Sequence, residues 1–209
     1  PGQTENCLSV AQADAAKRIY AGVVDEAGNE LFPGTGPGSE VEWAAYATPA
    51  FSIGTSYYQN VVYGDPAWHF TRANAAADIA RAEELDAGGA KAMDPDLSAF
   101  FAHGGKLILY HGMSDGFIPW RNTVNYYESV VDRLGAGVVD ENVRLYLVPS
   151  MDHCSGGEGP SRVDWLTALD EWAEDGRAPG ALLGSHPAEI PGAFGAPARP
   201  SKPYTRPIC

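Results

Sequence analysis

Two stretches of the chain hold residues whose types and order could do acid–base chemistry. In Lys106-Leu-Ile-Leu-Tyr-His-Gly-Met-Ser-Asp115-Gly-Phe-Ile-Pro119, a short apolar run bounded by glycines gives way to a polar loop carrying an acid. Val143 to Val148 is a second such run, and it opens into Pro149-Ser-Met-Asp-His153-Cys154-Ser-Gly-Gly. Apolar runs of this length read as strands buried in a mostly parallel sheet. Ligands of open α/β sheets sit outside the carboxyl ends of the strands, where both loops would lie. An acid after one strand and a histidine after the next is the order of the acid and base in one class of nucleophilic triad. Asp115 would accept the Nδ1–H of His153, fixing its tautomer, and His153 would be the general base. The plain alternatives are a loop carboxylate capping a turn and a satisfied loop or core histidine. Their pairing across neighbouring strands favours the chemical reading, and the glycines after His153 suit a mobile loop of close approach.

A nucleophile is harder to find. Gly112-Met-Ser114-Asp-Gly116 matches the G-x-S-x-G pattern and follows a strand. A nucleophile elbow turns straight into a helix, whereas Phe117-Ile-Pro119 intervenes here. The acid for Ser114 would have to lie between 117 and 152. Asp132 falls on a helix there, and Asp140 sits in a Gly-Val-Val-Asp loop at the wrong end of the second strand. Ser114 is therefore rejected as the attacking group. His111 starts the acid loop and is expected to make structural hydrogen bonds. His69, His103 and His186 read as surface or turn residues.

The elements that must position these loops can be read in order. Ser9-Val-Ala-Gln12 is a capping box for a helix to about Tyr20, with Gly22 past its end. Residues 22–40 are turn-rich and read as an ordered loop. Residues 43–70 concentrate aromatics: Trp43, Tyr46, Phe51, Tyr57, Tyr58, Tyr63, Trp68 and Phe70. Their spacing fits neither helix nor strand, so the rings could fill a small core, line a pocket for an aromatic substrate, or do both. Helices are expected near Ala73–Leu85, before Gly88-Gly89, and over Asp96–Ala102. Another, capped by Asn122 or Thr123, should reach Leu134 with Tyr126, Val130 and Leu134 on one face. Ser161-Arg-Val-Asp164 resembles a further capping box, for a helix through Trp165 and Trp172 to Asp175. Strand, helix, strand, helix is a βαβα unit. The proline-rich tail from Pro187 to Cys209 is expected to run as loop over the surface.

Composition excludes several function classes. The 209 residues are 44% hydrophobic and 20% charged, ordinary globular values. A net charge of −13 argues against nucleic acid or anionic membrane as a partner. No apolar run approaches the roughly 18–20 residues that span a bilayer. Cys7, Cys154 and Cys209 are an odd count with no metal-ligand spacing, so no metal site is expected and at least one thiol is free or paired elsewhere. The chain opens Pro1-Gly-Gln-Thr-Glu, without an initiator Met, as a processed chain or a piece of a longer one would.

Longer motifs carry a specific resemblance. Leu107-Ile-Leu-Tyr-His-Gly-Met-Ser-Asp115, Asn122-Thr-x-x-Tyr126-Tyr-Glu and Arg144-Leu-Tyr-Leu-Val-Pro-x-Met-Asp-His153-Cys154-Ser-Gly-Gly resemble the tannase/feruloyl esterase family. That family includes the bacterial mono(2-hydroxyethyl) terephthalate hydrolases. The likeness extends to Trp165…Leu169-x-x-Trp172-x-x-x-Gly176-x-Ala-Pro179 and to Arg206-Pro-Ile-Cys209. Upstream, Cys7-Leu-Ser-x-x-Gln12, Ile19-Tyr-Ala-Gly22, Leu31-Phe-Pro-Gly34 and Pro37-Gly-Ser-Glu-x-x-Trp43 resemble the later part of the family's lid.

The resemblance implies an α/β fold: the C-terminal part of an α/β-hydrolase (94–209) preceded by the rear of a lid domain (1–93). It implies a serine-type carboxylic ester hydrolase for esters of aromatic acids, with Asp115 and His153 as triad acid and base. The nucleophilic serine, the oxyanion hole and a structural calcium site in the lid would all lie outside this chain. No cofactor is implied for the chemistry. The remaining N-terminal part of the same enzyme would be the partner. Cys154 matches a cysteine that the family bonds to the one before the nucleophile, and Cys7 and Cys209 match cysteines whose partners also lie outside. Such bridges imply an oxidising compartment, secreted or periplasmic. Trp43 and Ile118 are candidate substrate contacts. Ile118 stands where terephthalate-ester enzymes carry an aromatic ring. A competing expectation is a non-catalytic phenolic-binding module or inactive paralogue on the same fold.

Overall fold

In the computed structural model residues 7–46, 52–86, 89–190 and 197–209 are described. The capping box forms as expected. Ser9 Oγ accepts from the Gln12 N–H (3.3 Å) and Gln12 Oε1 accepts from the Ser9 N–H (2.9 Å). It opens helix α1, Val10–Ala21, which stops at Gly22 with φ +79°. The stretch read as loop holds a small antiparallel hairpin instead, β1 Val23–Val24 and β2 Glu30–Phe32. Asp25 builds its turn: Oδ1 accepts the N–H groups of Ala27 and Asn29, and Oδ2 accepts from the Asn29 amide. Strands of two and three residues are too short to show a period of two.

Helix α2, Glu40–Tyr46, follows, then α3, Ser52–Tyr57, which widens into a π turn at Tyr58–Val62. The aromatics beyond it build a core of their own. Tyr58 and Tyr63 both stack on Trp68, with centroids at 4.9 and 6.0 Å. Trp68 and Val62 are buried. The Tyr63 hydroxyl donates to the buried Asp78 of α4, Ala75–Asp86. Arg81 lies over the Tyr63 ring and reaches the Val62 carbonyl at 2.8 Å. Phe51 and Gly88 lie outside the described residues, as does the side chain of Tyr46.

After α5, Ser98–Ala102, the expected parallel pair forms. Strand β3, Leu107–Gly112, runs two residues further than the apolar pattern suggests, followed by α6 Trp120–Leu134, α7 Ala136–Asn142 and β4 Val143–Val148. The strands pair in parallel without a slip, from Leu107 opposite Val143 to Gly112 opposite Val148. Both therefore end level, and their loops leave side by side. Helix α6 begins at Trp120, behind Pro119, rather than at a cap on Asn122 or Thr123. The Thr123 hydroxyl is turned instead to His111 Nδ1, 2.7 Å away. Its apolar face is as expected: Val130 is buried, with Tyr126 and Leu134 packed around it. Helix α7 corrects the Gly-Val-Val-Asp loop, because Val139 is wholly buried against Val130 and Val143 and packing overrides a weak helix sequence.

Helix α8, Trp165–Asp175, is capped by Asp164, whose Oδ1 accepts the Thr167 N–H at 3.1 Å, not by Ser161. The tail is the largest correction. It holds strands β6 Glu189–Ile190, β7 Arg199–Pro200 and β8 Tyr204–Ile208; β6 pairs antiparallel with β7, and β8 with β5, Leu182–His186, which precedes the tail. Residues 191–196 of the tail are outside the described set. Prolines mask these strands in the sequence, yet β8 is an edge strand, where a sheet accepts them. His186 is also corrected: it is 3% exposed, between the Gly159 carbonyl (2.8 Å from Nδ1) and Ser201 Oγ (2.5 Å from Nε2). Ile208 closes a core with Tyr146, Val148 and Met151, the last of these on the loop that carries His153. Ile208→Ala should therefore destabilise the fold by about 2–4 kcal/mol, read as a lower denaturant midpoint at unchanged m-value. A change within about 0.5 kcal/mol would mean that the tail is surface loop after all.

Candidate active site

Asp115 is placed by the tip of β3. Its N–H donates to the Gly112 carbonyl (3.1 Å), and the Ser114 N–H donates to the Met151 carbonyl of the neighbouring loop (3.0 Å). The carboxylate is 3% exposed, and every face of it is engaged. Oδ1 accepts the N–H groups of Phe117 and Ile118, each at 2.8 Å. Oδ2 lies 2.9 Å from His153 Nδ1 and 3.2 Å from His111 Nε2. Burial alone would raise its pKa. Hydrogen bonds from His111, the Ile118 N–H, His153 and the Phe117 N–H outweigh that and hold it below the usual carboxylate value.

Because an ionised carboxylate only accepts, both rings must donate to it. His153 therefore carries its proton on Nδ1. Its Nε2 is left with a lone pair and no hydrogen-bond partner among the described residues, on a side chain 35% exposed. Phe117 flanks the ring at a centroid distance of 5.2 Å. His111 is more than a structural residue at the loop's start. Its Nε2–H is shared between Asp115 and the Ile118 carbonyl (2.8 Å), and its Nδ1 accepts from the Thr123 hydroxyl. The acid thus holds two histidines, one enclosed and one open.

The loop after β4, which carries His153, turns through Ser150 and Cys154, both with positive φ (56° and 62°), and through Gly156 and Gly157. A side chain on Gly157 would sit 2.7 Å from Asp152 Oδ1, which is the close approach expected of these glycines. Glu42, on α2, is a residue the sequence reading missed. Its buried carboxylate accepts the Gly116 N–H at 2.8 Å (Oε2) and the His153 N–H at 3.3 and 3.4 Å. Asp152 lies beside it. Its pKa is pushed up to about 6, first by burial and then by the Glu42 charge. Arg199 opposes that rise, and Glu158 and Asp115 add to it.

Other predicted residues take different places. Ser114 is 6% exposed and covered by Gly38, where an added Cβ would lie 2.5 Å from its Oγ. Ile118 binds the acid through its N–H and exposes its side chain beside it. Trp43 packs edge-on to Tyr20 at 5.1 Å and donates its indole N–H to Ser39 Oγ at 3.0 Å. Cys7, Cys154 and Cys209 are exposed thiols, none bonded to another. Among the described residues no group of three His, Cys, Asp or Glu side chains could hold a metal ion, and no helix is long and apolar enough to cross a membrane.

A family model described as tannase and feruloyl esterase matches residues 1–209. The chain belongs to this family. A probable feruloyl esterase B-2 of Aspergillus terreus is 33% identical over 211 residues, covering 92% of this chain and 40% of that protein. A mono(2-hydroxyethyl) terephthalate hydrolase of Piscinibacter sakaiensis is 33% identical over 259 residues, covering 99% and 39%. Among solved structures, an esterase from Aspergillus oryzae superposes with a TM-score of 0.84 at 29% identity, over 100% of this chain and 43% of that one. Feruloyl esterase B from the same organism gives 0.78 at 27%, over 97% and 42%. The chain thus spans about two fifths of the length of these tannase and feruloyl esterase relatives.

The raised pKa of Asp152 carries a prediction about stability. The folded chain holds this proton more tightly than the unfolded chain, so the associated stability is present below pH 3.8 and lost as pH rises through about 6. Asp152→Asn should therefore melt higher than wild type near pH 8 and show no advantage near pH 4. Equal melting curves at both pH values would show that Asp152 carries no such strain.

Proposed function

We propose that this chain is the acid- and base-bearing part of a serine-type carboxylic ester hydrolase, with the nucleophilic serine on polypeptide outside these 209 residues. The observation that carries the reading is the 2.9 Å contact of Asp115 Oδ2 with His153 Nδ1, which leaves Nε2 open. Nε2 takes the serine proton as the hydroxyl attacks the ester carbonyl, and Asp115 steadies the imidazolium through Nδ1–H. His153 returns that proton to the departing alkoxide, leaving an acyl-enzyme and a free alcohol. It then draws a proton from water, which attacks the acyl carbon and releases the acid and the regenerated serine. Ser114, lodged beneath Gly38, has no part in these steps.

Esters of aromatic acids are the proposed substrates, in line with relatives named for feruloyl and terephthalate esters. Ile118, exposed beside the acid, and Trp43 are the proposed contacts with the aromatic acyl group. Residues 1–93 are proposed as the rear of a lid and 94–209 as the end of the hydrolase domain. Exposed Cys154, next to the base, suits a bridge to a cysteine beside the serine, in a secreted or periplasmic enzyme. The structural calcium belongs, on this proposal, to lid residues outside this chain, and no step runs through it.

The test joins this chain to the polypeptide proposed to carry the serine and assays feruloyl and galloyl esters. His153→Ala and Asp115→Asn should each lose about a thousandfold or more in kcat, while Ser114→Ala stays within about twofold. Near-wild-type turnover in either of the first two variants would remove that residue from the mechanism. Absence of turnover in the wild type on every ester would favour a binding module.

A further inference from the structure

We infer that Glu42 is a positioning residue for the catalytic pair, a role that rests on the esterase reading above. The acid and the base reside on separate loops, and proton transfer depends on holding them in one geometry. Glu42 bonds to both loops at once. Its Oε2 accepts the N–H of Gly116, the residue after the acid, at 2.8 Å. The same oxygen accepts the N–H of His153, the base itself, at 3.3 Å, with Oε1 at 3.4 Å from that nitrogen. Neither N–H has another acceptor among the described residues, so removing Glu42 orphans both.

Two further observations point the same way. Gly116 has room for Glu42 only because it lacks a side chain: an added Cβ would lie 2.8 Å from both Glu42 Cβ and the Ser39 carbonyl. Glu42 is also 6% exposed, and its charge acts on the carboxyl of Asp152. A buried carboxylate is expensive to keep unless donors satisfy its oxygens. Helix α2, which precedes the βα unit in the chain, therefore holds the relay together rather than merely covering substrate.

The proposal separates bridging from charge. Glutamine keeps an acceptor oxygen where Oε2 stands, and that oxygen alone makes the shorter bond to each loop. In the complete enzyme proposed above, Glu42→Ala should lower kcat by about 10- to 100-fold, with KM within about threefold, and Glu42→Gln should remain within about threefold of wild type. Gly116→Ala, which displaces the carboxylate, should match Glu42→Ala and decides the matter if that variant does not fold. A second readout needs no turnover. With 15N-labelled histidine, the His153 Nδ1–H resonance, identified by its loss in His153→Ala, should persist in wild type and Glu42→Gln and exchange away in Glu42→Ala. Wild-type kcat and a retained resonance in Glu42→Ala would overturn the proposal. So would a Glu42→Gln enzyme as impaired as Glu42→Ala, which would make charge the operative property. If wild type hydrolyses no ester, the esterase reading fails, while the resonance still tests the bridge.

Discussion

The structure around the two loops depends on one buried negative charge. Taking a carboxylate out of water costs several kcal/mol unless its oxygens find donors. Asp115 finds four, from Phe117, Ile118, His111 and His153. Two of them belong to its own turn, one to the last residues of β3 and one to the loop after β4. The charge can be satisfied only if the strands end level, the turn closes tightly and both rings face inward. Parallel pairing without a slip meets the first condition. His111, pinned by Thr123 from α6, ties the first turns of that helix to the same point.

A second buried carboxylate works from the other side. Glu42 draws the Asp115 loop and the His153 loop against α2 through two peptide N–H groups. Gly36 and Gly38 let the chain before α2 lie on the same loop: side chains there would sit 2.5 Å from the Met113 carbonyl and from Ser114 Oγ. Crowding three acidic groups has an electrostatic consequence. Burial pushes both Asp152 and Asp115 upward; at Asp152 the Glu42 charge adds to it, whereas at Asp115 hydrogen bonds outweigh it.

What could be read from the sequence follows from how local each signal is. The two strands, their acid and histidine, and the Ser9 capping box were legible because each lies within a few consecutive residues. The parallel pairing followed from two apolar runs with a helix between them. Glu42 was not legible, since it stands 111 residues from the histidine whose N–H it accepts, and nothing in its neighbours sets it apart from a solvated glutamate. His111 showed itself only in part, because sharing one carboxylate oxygen between two rings is a matter of folded geometry. Helix α7 and the β5–β8 pair were hidden by glycine, valine and proline, whose local preferences yielded to the burial of Val139 and Ile208.

The stack of Tyr58, Trp68 and Tyr63, closed by Asp78 and Arg81, is satisfied from within its own stretch of chain. A segment that supplies its own interior can change shape without moving the distant pair of Asp115 and His153. A substitution at Gly116 or Glu42, by contrast, acts directly on the loop that carries Asp115.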